Sequence, residues 1–399
     1  MQNRADHLCI YMLCLLGMMA SGCSVGPNLI QGSRTRYNSA VQRTASEEML
    51  LNLVRARYGE PPGFLAVSGI TSQFEVDGGL SFGNEFGFGS GHWAGQFNAA
   101  DRPTISLSPL QDEQFSRRFL SPIALDTIYL FSRNGRRVDR VLRLVVEQIN
   151  GVRNTPNGLE SETTPAAFEW LAQTLGDLAR QQQVELAYEE TSETVSPVLD
   201  AGSIQGSDVV AALDKGYRFQ ASDEDKAVFL TARNKKLVLR VSPLDVGSPE
   251  VAGIAELLHL KPGEVSYPLE AAVEGQLKPY PEFQEELHVS TRSVEEILHF
   301  LCHGVAVPPK HIAKGLVAHQ SELPKGCSDP AGEMLRIHWT RWRPYRAVVA
   351  VYYRGHWFYI DDADANSKET FELLLELYNL EIRGGGAASI PLLTLPLGR

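Results

Sequence analysis

The feature that most constrains this chain lies at its start, where Leu8 to Ala20 (LCIYMLCLLGMMA) forms a run of 13 apolar residues. A helix needs about 20 residues, at ~1.5 Å each, to cross ~30 Å of hydrocarbon, so this run is too short to span a membrane. Its length fits the hydrophobic region of an export signal. Ahead of it, Met1 to His7 is polar, with Arg4 and the free amine offset by Asp6. Behind it come the small residues Ala20, Ser21 and Gly22. A segment of this kind is removed and takes no part in the fold, so the fold is expected to belong to the residues after Gly22. The alternative reading of the same residues is a hydrophobic helix that is kept as an anchor or packed in a core.

The junction Ala20-Ser21-Gly22-Cys23 resembles the lipobox of bacterial lipoproteins, in which the cysteine receives a diacylglycerol and the chain is then cut before it. Ala20 departs from the pattern, which prefers Leu three residues before the cysteine. The resemblance implies a signal peptide over 1–22, lipidation at Cys23 (diacylglycerol, with palmitate-like acyl chains) and a lipidated tether over 23–40. One acyl chain binds a bilayer only reversibly, whereas two or more, at ~0.8 kcal/mol per buried CH₂, hold a protein there stably. Ser24, rather than Asp, after the cysteine implies lipid anchoring at the outer membrane, facing the periplasm. Cys23 to Asn28 (CSVGPN) is also similar to the start of outer-membrane efflux lipoproteins. The long repeated coiled-coil helices of those channels are not found further along, so their function is not carried over. The chain as a whole resembles uncharacterised envelope lipoproteins and no named catalytic family.

Cleavage would leave 377 of 399 residues, enough for two or three domains with proper cores. The 43% hydrophobic and 21% charged content is that of a globular protein, and a net charge of −11 argues against nucleic acid as a partner. Of five cysteines, Cys9 and Cys14 lie in the signal and Cys23 at the junction. Cys302 and Cys327 remain, an even pair that an oxidising compartment would favour bridging, closing a loop of about 25 residues for ~3 kcal/mol. Two separate buried thiols are the other reading.

Hydrophobic periodicity predicts an α+β fold of mixed helices and mostly antiparallel sheets, without a βαβ rhythm. Two domains are expected after the tether, at 41–156 and 157–399, divided by the polar stretch Asn154 to Thr164. Thr44-x-x-Glu47 and Ser293-x-x-Glu296 have the form of capping boxes, Ser121-Pro122 that of a helix start, and Asn366 that of a cap on the last helix. Val138 to Ile149 keeps helical spacing up to Gly151. Phe64 to Phe82 alternates as a strand with a turn expected at Gly78-Gly79, and Pro103 to Leu110 alternates again. Between them, Ser81 to Gln96 places Gly83, Gly87, Gly89, Gly91 and Gly95 at odd positions and Phe82, Phe86 and Phe88 at even ones. In an extended strand this makes a bare face and a phenylalanine face, an edge suited to pairing with another chain. A surface loop with accidental parity is the alternative.

Two clusters carry candidate chemistry. His299 and His303 lie one turn apart, the spacing of paired imidazole metal ligands, although the neighbouring Glu295 and Glu296 fall outside the pair and the H-E-x-x-H order is not met. His303 at a helix end is equally explained by the helix dipole. Arg136, Arg137, Arg140 and Arg143 form a basic stretch on an acidic protein, either a surface for anionic headgroups or an acidic partner, or a solvated helix face. Asp362, Asp364 and Asn366 begin like a calcium loop, but Ser367 and Leu373 stand where it needs Gly and Glu, so a carboxylate-rich helix start is preferred. No nucleophile elbow, phosphate loop or C-x-x-C pair occurs. The expected function is therefore a membrane-anchored envelope lipoprotein with a structural, assembly or interaction role, needing no cofactor. Its partners would be the membrane and envelope proteins, or further copies of itself. The alternative is a periplasmic metal-dependent hydrolase built on His299 and His303.

Overall fold

Helix α1, Val25–Arg57, opens the computed structural model, which describes residues 25–82, 93–154, 165–221, 227–272, 283–317, 330–383 and 392–394. Cys23, Phe86, Phe88 and Cys327 lie outside the described residues. The last turns of α1 bury Met49, Leu50, Leu53 and Val54, one helical stripe, and the helix ends where Gly59 takes φ +72°. Its earlier part corrects the expectation of an irregular tether with a helix starting at Thr44. The helix already runs from Val25, and the Thr44 hydroxyl donates to the carbonyls of Ala40 and Val41, both at 3.0 Å. A threonine inside a helix bonds back to the preceding turn in this way, so no capping box forms. Residues 35 to 44 of this stretch are largely exposed, which accounts for the missing apolar stripe. Arg43 and Glu47, 3.5 Å apart, support it one turn to the next.

Strands β1, Leu65–Phe82, and β2, Trp93–Pro109, form an antiparallel ladder from Leu65↔Pro109 to Phe82↔Trp93, with one register shift between Val67 and Gly69. No turn forms at Gly78-Gly79, which pair with Phe97 and Gln96. Two glycines permit a turn without requiring one, and the alternation keeps its phase through them, so the ladder continues. The root of this hairpin is clasped from both sides. Buried Asn52 exchanges hydrogen bonds with the backbone of Gly63 (2.9 and 3.0 Å), and Phe64 stacks on Tyr378 with ring centroids 4.6 Å apart.

Helices α2 (Glu113–Leu120), α3 (Leu125–Arg133) and α4 (Val138–Val145) come next. Ser121 closes α2 instead of opening a helix: the proline after it favours extended backbone (ψ 140°), and Pro122 instead bridges to Ser293. Helix α4 stops at Val145, short of the expected Gly151, because the β-branched continuation enters β3 (Val146–Ile149) and turns at Asn150-Gly151 (φ +43° and +85°) into β4 (Val152–Arg153).

The rest of the body comprises α5 (Pro165–Arg180), β5 (Val184–Thr194), β6 (Leu199–Asp200), α6 (Gly206–Asp214), β7 (Tyr217–Ala221), β8 (Ala227–Val241), α7 (Pro249–Leu257), β9 (Ser266–Ala271) and β10 (Leu287–Thr291). Then come α8 (Val294–Leu301), α9 (Pro309–Ala313), α10 (Pro330–Met334), β11 (His338–Thr340), β12 (Ala347–Tyr353), β13 (His356–Asp361), α11 (Ala365–Tyr378) and β14 (Leu392–Thr394). One sheet has the order β4-β3-β10-β9-β8-β5, with β6 and β7 also on β8; another is β11-β13-β12. Strand β14 joins β1 in parallel at 69–71, and β9 and β10 are parallel too, while the other pairings are antiparallel. The fold is α+β.

Ser293 caps α8 through the expected box, its backbone amide donating to Glu296 and its hydroxyl accepting from the Glu296 amide. For α11 the cap is Asp364 instead of Asn366, because the Asp364 carboxylate accepts from both the amide and the hydroxyl of Ser367 (3.0 and 2.7 Å). The buried apolar residues form one cluster running from Met49 to Ile382, with Val141, Leu144 and Val145 packed alongside Phe168, Leu171, Ile297 and Leu301. Arg292 crosses the same ground, donating to the carbonyls of Arg143, Leu144 and Asn154.

Candidate functional site

His299 of α8 and His303, just beyond its end, face each other edge to plane, with ring centroids 5.8 Å apart. His303 Nδ1 lies 3.0 Å from the His299 carbonyl and 3.2 Å from that of Phe300. Carbonyl oxygens only accept, so this nitrogen carries the proton and the ring caps the helix end. Buried Cys302 donates its thiol to the same His299 carbonyl at 3.0 Å. Among the described residues no group of three or more His, Cys, Asp or Glu side chains is placed to hold a metal ion. The proposed disulfide partner, Cys327, falls outside them.

The four arginines of 136–143 do come together, but onto carboxylates of the same chain. Arg136 pairs with Glu372 and Glu376, Arg137 with Asp139, Arg140 with Glu369, and Arg143 with Glu169 and Glu333. Buried Arg140 also donates to the Asn366 carbonyl and the Thr370 hydroxyl, both at 2.7 Å, while burial pulls its pKa below the usual guanidinium value. This basic stretch thus fastens α4 to α11, α5 and α10. Sequence spacing placed the arginines on a face; it carried no signal for Glu333, Glu369, Glu372 and Glu376, which lie 190 or more residues away.

A cleft of about 510 Å³ opens beside the end of α1 and is lined by Arg57, His303, Val307, Glu333, Arg336 and His338, among others. Arg57 Nε is buried there without a hydrogen-bond partner. Nearby, Tyr58 Oη stands 2.6 Å from Nδ1 of buried His311. Burial, with Tyr353 adding to it, pushes the Tyr58 phenol up to about 12, so the hydroxyl keeps its proton as a donor to the neutral imidazole. Burial also lowers the His311 pKa, helped by His356, Lys314 and Arg354. These groups lock the end of α1 to α9 and to the β12–β13 turn; a phenol so hard to ionise is no nucleophile.

The remaining candidate is the hairpin. Phe82 pairs with Trp93 at its far described end. Among the described residues, the outer edge of β1 carries β14 at 69–71, and no strand pairs with that of β2. At the root, where side chains are described, Leu65 and Leu107 are 44% and 54% exposed on a surface that could bury them. Strands of 18 and 17 residues far exceed the usual five or six. Exposed edges of such length are normally shortened, charged or covered. No protein-family model, curated protein or solved structure matches this chain.

Proposed function

We propose that this protein is a bacterial envelope lipoprotein, acylated on Cys23 and held at the outer membrane facing the periplasm, which assembles with partner proteins or with copies of itself through its β1–β2 hairpin. The observation that carries the assembly role is that hairpin, a long ladder rooted firmly in the body with outer edges that no described strand pairs beyond 69–71. An open ladder of backbone donors and acceptors recruits strands from other chains.

The anchor reading draws support from the geometry of α1. The helix begins two residues after Cys23, and its stretch between residues 35 and 44 is largely exposed, while Met49 onwards is embedded. At ~1.5 Å per residue, the 24 steps from Val25 to Met49 make a stalk of about 36 Å between an acylated Cys23 and the body. Among the described residues no helix is long and apolar enough to cross a membrane, so attachment through α1 would fall to lipid on Cys23.

Mass spectrometry of the protein expressed in a two-membrane bacterium tests the anchor. Cleavage before Cys23 with added acyl mass, both lost in Cys23→Ala, is the expected result. An unprocessed chain in the soluble fraction removes the anchor and the compartment together. Size measurement of the detergent-extracted full chain tests assembly: a strict monomer that captures no envelope protein defeats it.

A further inference from the structure

The hairpin carries a second pattern, visible where its residue types meet its register. In β1 the even positions from 70 to 82 are Ile, Ser, Phe, Val, Gly, Leu and Phe, and the odd positions from 71 to 81 are Thr, Gln, Glu, Asp, Gly and Ser. The ladder pairs even positions of β1 with odd positions of β2, among them Val76↔Ala99, Gly78↔Phe97, Leu80↔Gly95 and Phe82↔Trp93. Directly opposite residues share a face of an antiparallel pair. One face of the upper hairpin is therefore apolar, and the other holds Glu75, Asp77, Ser81, Gln96 and Asn98. The first charged pair partner on the apolar face is Asp101, opposite Phe74.

We infer that the segments 74–82 and 93–101 cross a lipid bilayer as one unit of a β-barrel closed by several copies of this chain, apolar face to the hydrocarbon and polar face to the lumen. The inference rests on the assembly reading and names its partners: a second copy, and the bilayer. Three observations carry it. Nine residues at ~3.3 Å, tilted by ~40°, rise about 23 Å, close to the ~25 Å apolar band of a membrane barrel. Aromatic residues mark both limits of the band, Phe82 and Trp93 at the top and Phe74 at the base, with Asp101 and Arg102 where the headgroups begin. Finally, the outer edges match what such an assembly needs. Among the described residues, β14 pairs with β1 at 69–71, just below the band, and no strand pairs with the outer edges of 74–82 or 93–101. Hydrocarbon does not tolerate unpaired backbone, so a lone hairpin cannot cross, whereas β1 of one copy beside β2 of the next satisfies every edge and closes a ring. A soluble partner would not require the apolar stretch to match the thickness of a bilayer.

The test uses the full acylated chain, reconstituted in phosphatidylethanolamine and phosphatidylglycerol vesicles, with single cysteines at 76, 77, 79, 80 or 81 on a Cys302→Ala, Cys327→Ala background. Each is labelled with a polarity-sensitive dye and challenged with lipids bearing nitroxides in the acyl chain. Quenching several-fold stronger at 76 and 80 than at 77, 79 and 81 is expected, together with stable ion conductance when the unmutated chain is added to planar bilayers. A flat profile on vesicle-bound protein, with no conductance from the unmutated chain, overturns the barrel and leaves the lipid anchor standing. Alternating quenching by a chain that mass spectrometry shows to be unacylated supports the barrel and removes the anchor.

Discussion

Replacing Arg292 with methionine isolates the contact that ties the start of α8 to the α4–β4 stretch. Its guanidinium donates through Nη1 to the carbonyls of Arg143 (3.1 Å) and Leu144 (3.0 Å), through Nη2 to that of Asn154, and lies 4.2 Å above the Phe300 ring. Burial lowers its pKa to about 10, against the opposing pull of Glu147 and Glu296, so the side chain stays charged at neutral pH. Three hydrogen bonds to a charged donor are worth ~2 kcal/mol each and the cation–π contact ~1, about 7 kcal/mol in all. Methionine relieves the cost of burying the charge, which the depressed pKa puts at ~3 kcal/mol by 1.36 per unit. A net loss of about 4 kcal/mol is expected, with Arg292→Lys between the two. Urea unfolding measures it, as a lower midpoint at constant slope. Because the donor precedes α8 and the acceptors flank β3, amide exchange should quicken in α4 and α8 together. A loss under 1 kcal/mol, or exchange that quickens on one side only, refutes the reasoning.

Local geometry sets the outcome of three other substitutions. Gly304→Ala would set a Cβ 1.9 Å from the Leu335 carbonyl oxygen, a backbone atom held by the Val305↔Ile337 bridge; a loss of ~3 kcal/mol or more, read by thermal melting, is expected, and an unchanged melt would show that the bridge yields. His311 takes up its proton less readily when folded than its ordinary 6.5, so the unfolded chain protonates first. Its share of stability is complete above pH 6.5 and drains as the pH falls from there to the folded pKa; His311→Gln should flatten that part of the pH–stability curve, and an unaltered slope would assign it to other groups. Asp364→Ala removes the cap of α11 at a cost of ~1 kcal/mol, most of which Asp364→Ser should restore in denaturant titration.

Legibility in the sequence tracked the range of the interactions. The Ser293/Glu296 box is set by neighbours along the chain and stands out from residue types alone. Strand β8 is one element of 15 residues although Thr231 to Lys235 is largely polar, since β5 and β7 both pair along it and hold that stretch extended. The N-terminal part of α1 lacks a stripe for the same kind of reason: periodicity reports what a helix packs against, and residues 35 to 44 are largely exposed. The arginines of α4 are the sharpest case. Their charge was evident, but whether it meets solvent or carboxylates depends on Glu369, Glu372 and Glu376, brought alongside only by the completed fold.

The difference between the arginine stretch and the hairpin also decides where an interaction surface is argued. Along α4 each of the four side chains has a carboxylate within the chain, so an anionic partner would have to displace contacts already made, Arg140 from a pocket that leaves it 8% exposed. Along 74–82 and 93–101 the requirement runs the other way. The outer backbone edges there have no described strand beside them, and the register sets apolar positions of one strand opposite apolar positions of the other. Hydrogen-bonding groups already paired contribute nothing to recruiting a partner, whereas an open edge gains one bond for each rung added. The 17 pairings of this hairpin therefore present an outer edge on which a further strand gains hydrogen bonds without displacing any described contact.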